Sequence, residues 1–321
     1  MHVCIVFLQH DNVGIQRDTH SSTVTHTQTM SIARELKFPI LDFNVDDDDD
    51  DLVKRFIDAL TKIGFVAIRF KSDIVEQTKR QAKKALSLEI KTMIDHHPRK
   101  GLSPYKSENF ACLLGQKAKN DKVVKYRYVI GNSDETPLDR SLKTCFEEMC
   151  KVSKRVLRLL AKGLKLRDEN YWISSQENIS TLTANYYPSL LEDDEDFDMQ
   201  VHTDVDFMTL VSSDRPGLEI EWSDRKTWVQ APYGPNMFIL NVADALSEWP
   251  GLTKMFKSTK HRVMCPIRGK DRISLAFFVA PHPSTKMCNP YEANHDDAIT
   301  YKKWRRKRIA RALKALRTCG D

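Results

Sequence analysis

The sequence predicts an α+β protein in which a helical N-terminal half packs on an all-β C-terminal core, with a further helix at the C-terminus. Two observations predict the halves. Apolar residues recur at helical spacing in three stretches before residue 170, and from about residue 181 the pattern changes to short strands punctuated by turns. Regular short strands with turn punctuation specify a sandwich or barrel. A third observation bounds the size. With 321 residues, 41% hydrophobic and 29% charged, the chain buries a substantial core and is neither disordered nor fibrous.

Residues 1–29 are rich in Thr, Ser and His, lack periodicity, and read as a flexible arm, with Met30 an alternative start. No run approaches the roughly 20 apolar residues that span a bilayer. The apolar run Val3–Leu8 is too short, and lacks the preceding basic residues, for a secretory signal.

Residues 30–170 form the helical region. Phe38-Pro-Ile-Leu-Asp-Phe43 reads as a short strand. The six aspartates Asp46–Asp51 directly precede a stripe at Leu52, Phe56, Leu60 and Ile63, so they read as the acidic start of a helix rather than a cation site. Gly64–Phe70 alternates into another strand. Helices follow over about 73–95 and 138–166, the second with Leu142, Cys145, Met149, Val152 and Val156 on one face. The stretch between them reads as irregular, and its Tyr105, Phe110, Tyr126 and Tyr128 are candidates for a pocket wall.

Residues 171–285 hold the β core, with strands over 181–187, 207–213, 218–222, 228–231, 237–242, 262–265 and 272–280. Arg215-Pro-Gly217 and Tyr233-Gly-Pro235 are among the turns. Residues 286–321 end in a basic helix whose stripe is Ile309, Ala312, Leu313 and Leu316. Residues 301–321 carry nine Lys/Arg and one Asp, a net +8 against +6 for the whole chain, which leaves −2 for the other 300 residues. The basicity belongs to the tail, so neither nucleic acid nor a membrane is the expected partner of the fold, and the apolar stripe suits docking on the core. The seven cysteines are never spaced as CxxC, which predicts no disulfide framework or structural zinc and points to a reducing, cytoplasmic compartment. Asn178-Ile-Ser matches a glycosylation sequon and reads as a loop. Nothing demands more than a monomer.

Three constellations carry chemistry. His202-Thr-Asp204 puts an imidazole and a carboxylate two residues apart, on one side if the segment is a strand. His261, 57 residues later, would complete two histidines and one carboxylate, a set that suits iron(II) with open positions or a hydrolytic zinc. Arg272 and Ser274 share a face of an alternating strand, where a guanidinium beside a hydroxyl matches a carboxylate. An internal salt bridge to the acidic stretch Glu192–Asp198 is the competing reading. Asn185 and Tyr187 share a strand face upstream and could hydrogen-bond a small acid.

The ordered block NYYP, HTD, PGLEI, NVADAL, FKSTKHRV and RISLAFFVAP resembles the isopenicillin N synthase-like branch of the 2-oxoglutarate/Fe(II)-dependent dioxygenases, closely over 181–283 and more loosely over FPILDF and GFVAIRF. The resemblance implies a double-stranded β-helix, or jelly roll, flanked by helices. It implies His202, Asp204 and His261 as ligands of Fe(II), Arg272 and Ser274 on the distal carboxylate of 2-oxoglutarate, and Asn185 and Tyr187 near the co-substrate. It places Phe278 against a small-molecule substrate and makes dioxygen a further co-substrate. Asn241-Val-Ala243-Asp244 departs from the usual NxGD, Trp249-Pro-Gly251 from Ser/Thr-Asn-Gly, and Ile-Arg-Phe70 from Asn-His-Gly. A 2-oxoglutarate-independent oxidase of the same family, and a catalytically silent protein working through its basic helix, are the alternatives.

Overall fold

Asp49 starts the first helix. Its carboxylate accepts from the amides of Asp51 and Leu52 at 2.9 and 3.3 Å, so α1 (Asp50–Lys62) begins inside the acidic run, its first turn meeting the positive end of the helix. The computed structural model describes residues 38–44, 49–92, 102–106, 123–129, 137–173, 180–189, 199–222, 227–264, 266–292 and 297–318. The N-terminal arm, Phe110, Asn178 and Glu192–Asp198 lie outside the described residues, as do the side chains of Tyr105 and Tyr126.

The other helices are α2 (Asp73–Thr92), α3 (Pro137–Gly163), α4 (Asp244–Ser247) and α5 (Tyr301–Thr318). Alternation builds β1 (Ile40–Asp42), β2 (Phe65–Arg69), β5 (Thr181–Tyr187), β7 (Met208–Ser213), β10 (Met237–Val242) and β12 (Arg272–Val279). The stretch expected to be irregular contributes β3 (Leu102–Lys106) and β4 (Val123–Val129). They pair with each other, and β4 pairs with β5. These eight form one sheet in the order β1-β2-β10-β7-β12-β5-β4-β3. A second sheet, β6-β11-β8-β9, is made of β6 (Met199–His202), β11 (His261–Val263), β8 (Leu218–Trp222) and β9 (Thr227–Gln230). The two sheets form the jelly-roll core.

The two faces of β12 show how the molecule is layered. Ile273, Leu275, Phe277 and Val279 enter a large apolar cluster with α1, α2 and α3, whereas Arg272, Ser274, Ala276 and Phe278 point the other way, into the space between the sheets. Part of that space is apolar, filled by Phe65, Ala67, Ile220, Val229 and Ile239 from both sheets. The rest is polar and holds the site. Burying a Leu or Phe side chain contributes about 1.5–3 kcal/mol, so the stripe of α3 outweighs any helix propensity in holding it on the sheet.

One expectation is corrected here. Tyr128 is no pocket wall: it is 2% exposed, sits in the large apolar cluster and donates its hydroxyl to Asp139. The basic helix α5 docks on the core through both apolar and ionic contacts. Arg305 meets Asp206, Arg308 meets Asp244 and Arg311 meets Glu248, while Tyr301 and Trp304 are buried and Ile309 packs at the margin. The side chains of Ala312, Leu313 and Leu316 lie outside the described residues.

Candidate active site

Strands β6 and β11 pair antiparallel with His202 directly opposite His261. That register sets the two imidazoles side by side, with ring centroids 4.2 Å apart. Asp204 does not share their strand geometry: β6 ends at His202, and Asp204 lies in the turn beyond it. The turn is held by α4. The Asp244 amide donates to the Asp204 carbonyl at 2.8 Å, and the Ala245 amide donates to the Val205 and Asp206 carbonyls at 3.2 and 3.0 Å. The carboxylate is thereby brought back to the histidines, its Oδ1 4.0 Å from His202 Nε2 and 3.8 Å from His261 Nε2. One ligand atom from each of the three lies within 4.8 Å of the others, and all three residues are buried.

Oδ2 of Asp204 is held separately, accepting from Thr209 Oγ1 at 2.7 Å and from Asn241 Nδ2 at 3.0 Å. Burial pushes the Asp204 carboxyl up. The charges of His261 and His202 and the bonds from Thr209 and Asn241 outweigh it and hold the group below its ordinary value, so it is ionised near neutrality.

His261 is oriented from behind. Its Nδ1 lies 3.2 Å from the Thr259 carbonyl, which can only accept; Nδ1 therefore carries a proton, and it is Nε2 that would give up its own to offer a lone pair to a metal. Thr259 Oγ1 donates to the Ile63 carbonyl at 2.6 Å. This contact requires Gly64, whose φ is +76° and where a Cβ would lie 2.4 Å from the Lys257 carbonyl and 2.6 Å from Thr259 Oγ1. Phe65 packs edge-on against the imidazole.

Arg272 lies between the sheets and is 2% exposed. Its Nε donates to Ser213 Oγ at 3.1 Å, and its guanidinium carbon is 4.6 Å from the centre of the Tyr187 ring. Nη1 is buried without a hydrogen-bond partner among the described residues, close against Gly217, where a Cβ would come within 3.0 Å. Burial pushes the guanidinium pKa down, opposed by Tyr187 and Asp214. A buried guanidinium with a free donor is costly unless an anion meets it.

The register puts Ser274 opposite Asn185 and Arg272 opposite Tyr187 across β12 and β5, so these four residues face the inter-sheet space together. Phe278, half-buried further along the same face, is opposite Thr209. Tyr187 lies under the guanidinium as a ring. Thr209, Asn241, Thr259 and Ser213 are the functional residues that sequence reasoning missed. The readable signal was Asn241 itself, an amide on the inward face of an otherwise apolar strand, where a buried polar group needs a partner.

The departures from the family pattern are absorbed locally. Ala243 has φ −111° and ψ 177°, an extended conformation open to any residue. Trp249 is fully buried, packs on Phe207 and Trp172, and donates to the Cys288 carbonyl at 2.9 Å.

Residues 178–281 match the family model of the 2OG-Fe(II) oxygenase superfamily. It is 33% identical over 139 residues to jasmonate-induced oxygenase 2 of Arabidopsis thaliana, covering 42% of this chain and 36% of the relative. To the 2-oxoglutarate-dependent dioxygenase FG08081 of Gibberella zeae it is 30% identical over 186 residues, covering 56% and 53%. The match thus spans between about a third and about a half of these curated relatives. Among solved structures, a full-length Neurospora crassa protein in complex with alpha-KG and thymine superposes with a TM-score of 0.66 at 19% identity, covering 85% of this chain and 96% of that one. A rice dioxygenase for auxin oxidation superposes with a TM-score of 0.62 at 19% identity, covering 86% and 96%. Both share the fold.

The donor set fits the group that this similarity implies. Two imidazoles and one carboxylate supply three ligands and leave positions open, which suits iron(II). The unpaired Nη1 of Arg272 fits a co-substrate carboxylate.

Proposed function

We propose that the chain is an Fe(II)- and 2-oxoglutarate-dependent dioxygenase that oxidises a small molecule, with hydroxylation as the default outcome, and converts 2-oxoglutarate and dioxygen to succinate and CO2. The observation that carries this reading is the convergence of His202, Asp204 and His261 in the same inter-sheet space as an unpaired, buried Arg272. When bound, iron(II) supplies the redox and dioxygen chemistry that no side chain offers.

In this reading His202, Asp204 and His261 hold the metal. Thr209 and Asn241 fix the rotation of Asp204, and the Thr259 carbonyl fixes the tautomer of His261. Arg272 and Ser274 bind the distal carboxylate of 2-oxoglutarate. Ser213 and the ring of Tyr187 steady the guanidinium, and Asn185 lies beside Ser274 as a further contact. Phe278 borders the substrate. Residues 171–285 are the catalytic core, 30–170 its helical support, 286–321 a docked C-terminal segment and 1–29 an arm.

The relatives' names run from jasmonate to gibberellin, so the shared machinery leaves the substrate a small molecule in general. Pairing of Arg305, Arg308 and Arg311 with acidic groups of the core supports a docked tail; a monomer with neither nucleic acid nor membrane as partner completes the proposal. No described helix is long and apolar enough to cross a membrane. The free, buried Cys145 and Cys288 support a reducing, cytoplasmic setting.

The test is to add Fe(II) and then 2-oxoglutarate anaerobically to the metal-free protein and record the visible spectrum. A charge-transfer band that needs both is expected. Iron binding without the band would replace this reading with a 2-oxoglutarate-independent oxidase, and no iron binding would overturn the metal assignment.

A further inference from the structure

Two carboxylates stand beside Arg272 in sequence, and neither pairs with it. Asp271 immediately precedes it, and Asp214 follows Ser213, the residue that accepts from its Nε. Both are bound instead by Lys83 of α2. Lys83 Nζ lies 2.7 Å from Asp214 Oδ2 and 2.9 Å from Asp271 Oδ1, and also donates to the Asp271 carbonyl at 3.1 Å. The two remaining oxygens are occupied as well. Asp214 Oδ1 accepts from the Ile273 amide at 2.9 Å, and Asp271 Oδ2 accepts from the Tyr186 hydroxyl at 3.0 Å. Every carboxylate oxygen of the pair therefore has a donor that is not a guanidinium.

The charge count is informative. Arg215 follows Asp214, its Nε is buried without a partner, and it lines a small cavity with Arg272, Ser213, Gly217 and Tyr233. No carboxylate lines that cavity among the described residues. Lys83, Arg215 and Arg272 are three cations against two carboxylates, which leaves one positive charge for one further anion. The surplus matches a single carboxylate.

We propose that Lys83 is a positioning residue for the anion site: by neutralising Asp214 and Asp271 on the α2 side of the sheet, it leaves the charge of Arg272 for the distal carboxylate of the co-substrate. The proposal rests on the reading of Arg272 given under the proposed function. Its logic is charge balance. Without Lys83, two uncompensated carboxylates would stand close behind Arg272, offset its charge and repel the incoming acid.

The experiment titrates 2-oxoglutarate into the full-length, Fe(II)-loaded chain under anaerobic conditions and reads the Kd by calorimetry. Lys83→Met is expected to weaken binding about tenfold, the size of coupling usual between charges in contact. Adding Asp214→Asn and Asp271→Asn to Lys83→Met is expected to restore the Kd to within about twofold, because the uncompensated charges are gone. Lys83→Gln serves the same comparison if the Met variant does not fold. An unchanged Kd in the Lys83 variant would overturn the proposal. So would a triple variant as weak as the single one, since a merely structural lysine would not be rescued by removing its partners. A wild-type chain that binds Fe(II) but not 2-oxoglutarate would overturn the functional reading and this proposal with it.

Discussion

Asn241 Nδ2 lies 3.0 Å from Asp204 Oδ2, the oxygen that Thr209 also holds, so only Oδ1 turns toward the two histidines. A carboxylate with one oxygen committed to hydrogen bonds has a fixed rotation and presents a single ligand atom. Replacing Asn241 with Leu keeps the volume of a buried strand position and deletes the donor. Metal affinity is expected to fall 10- to 100-fold, on the order usual for loss of a ligand's hydrogen-bond partner. Anaerobic Fe(II) titration measures it, with circular dichroism to check the fold. Wild-type affinity in a folded Asn241→Leu chain would remove Asn241 from the site.

Gly64→Ala tests the support behind His261. The added Cβ would meet the Lys257 carbonyl and Thr259 Oγ1 at 2.4 and 2.6 Å, at a φ of +76°. Strain of this kind costs about 1–3 kcal/mol. The denaturant midpoint should fall, and metal affinity with it, because Thr259 carries the carbonyl that sets the His261 tautomer. A variant that loses stability while binding metal normally would separate the two effects.

Arg272→Ala removes a buried guanidinium that faces the inter-sheet space. Charge-assisted bonds contribute about 1.5–3 kcal/mol, so the 2-oxoglutarate requirement should rise by roughly ten- to a hundredfold. Turnover measured against 2-oxoglutarate and against the primary substrate separately is the check. A change confined to the primary substrate would assign the guanidinium to that substrate instead.

How much of this was legible follows from what each residue's signal depends on. His202, Asp204, His261, Arg272 and Ser274 were readable as candidates because chemistry-bearing residue types stood in a fixed order that resembles a known family. The turn that carries Asp204 was not, because its shape depends on backbone donors from α4, forty residues on. The strands β3 and β4 escaped notice because β4 takes its place in the sheet by pairing with β5, a long-range partner. The Lys83 clasp joins positions more than 130 residues apart, and a lysine on a helix reads as an exposed charge until the fold closes over it.

Acid should report on that clasp. Burial pushes the Asp271 carboxyl up, but bonds from Lys83 and Tyr186, with the charges of Lys83 and Arg215, hold it below its ordinary 3.8. A folded-state value lower than the unfolded one stabilises the protein fully above the unfolded value, and the gain is lost as pH falls through the folded value. The wild-type denaturant midpoint should therefore drop below about pH 4 more steeply than that of Asp271→Asn. Parallel curves for the two proteins between about pH 5 and 3 would show that Asp271 carries no such linkage.

The C-terminal helix supplies the last prediction. Arg308 Nη2 lies 2.8 Å from Asp244 Oδ2, with both side chains at most 10% exposed. Burial pushes the Asp244 carboxyl up, and Arg308 opposes the shift without cancelling it. Removing the arginine leaves a buried carboxylate without its partner, so Arg308→Met should cost roughly 3 kcal/mol, and Asp244→Asn in that background should recover most of it. The damage should reach the metal as well, because the Asp244 and Ala245 amides hold the turn that carries Asp204. Truncation before Tyr301 should accordingly lower both the denaturant midpoint and Fe(II) affinity. Loss of binding to anionic vesicles or nucleic acid, with stability and Fe(II) affinity unchanged, would instead make the tail a binding element in its own right.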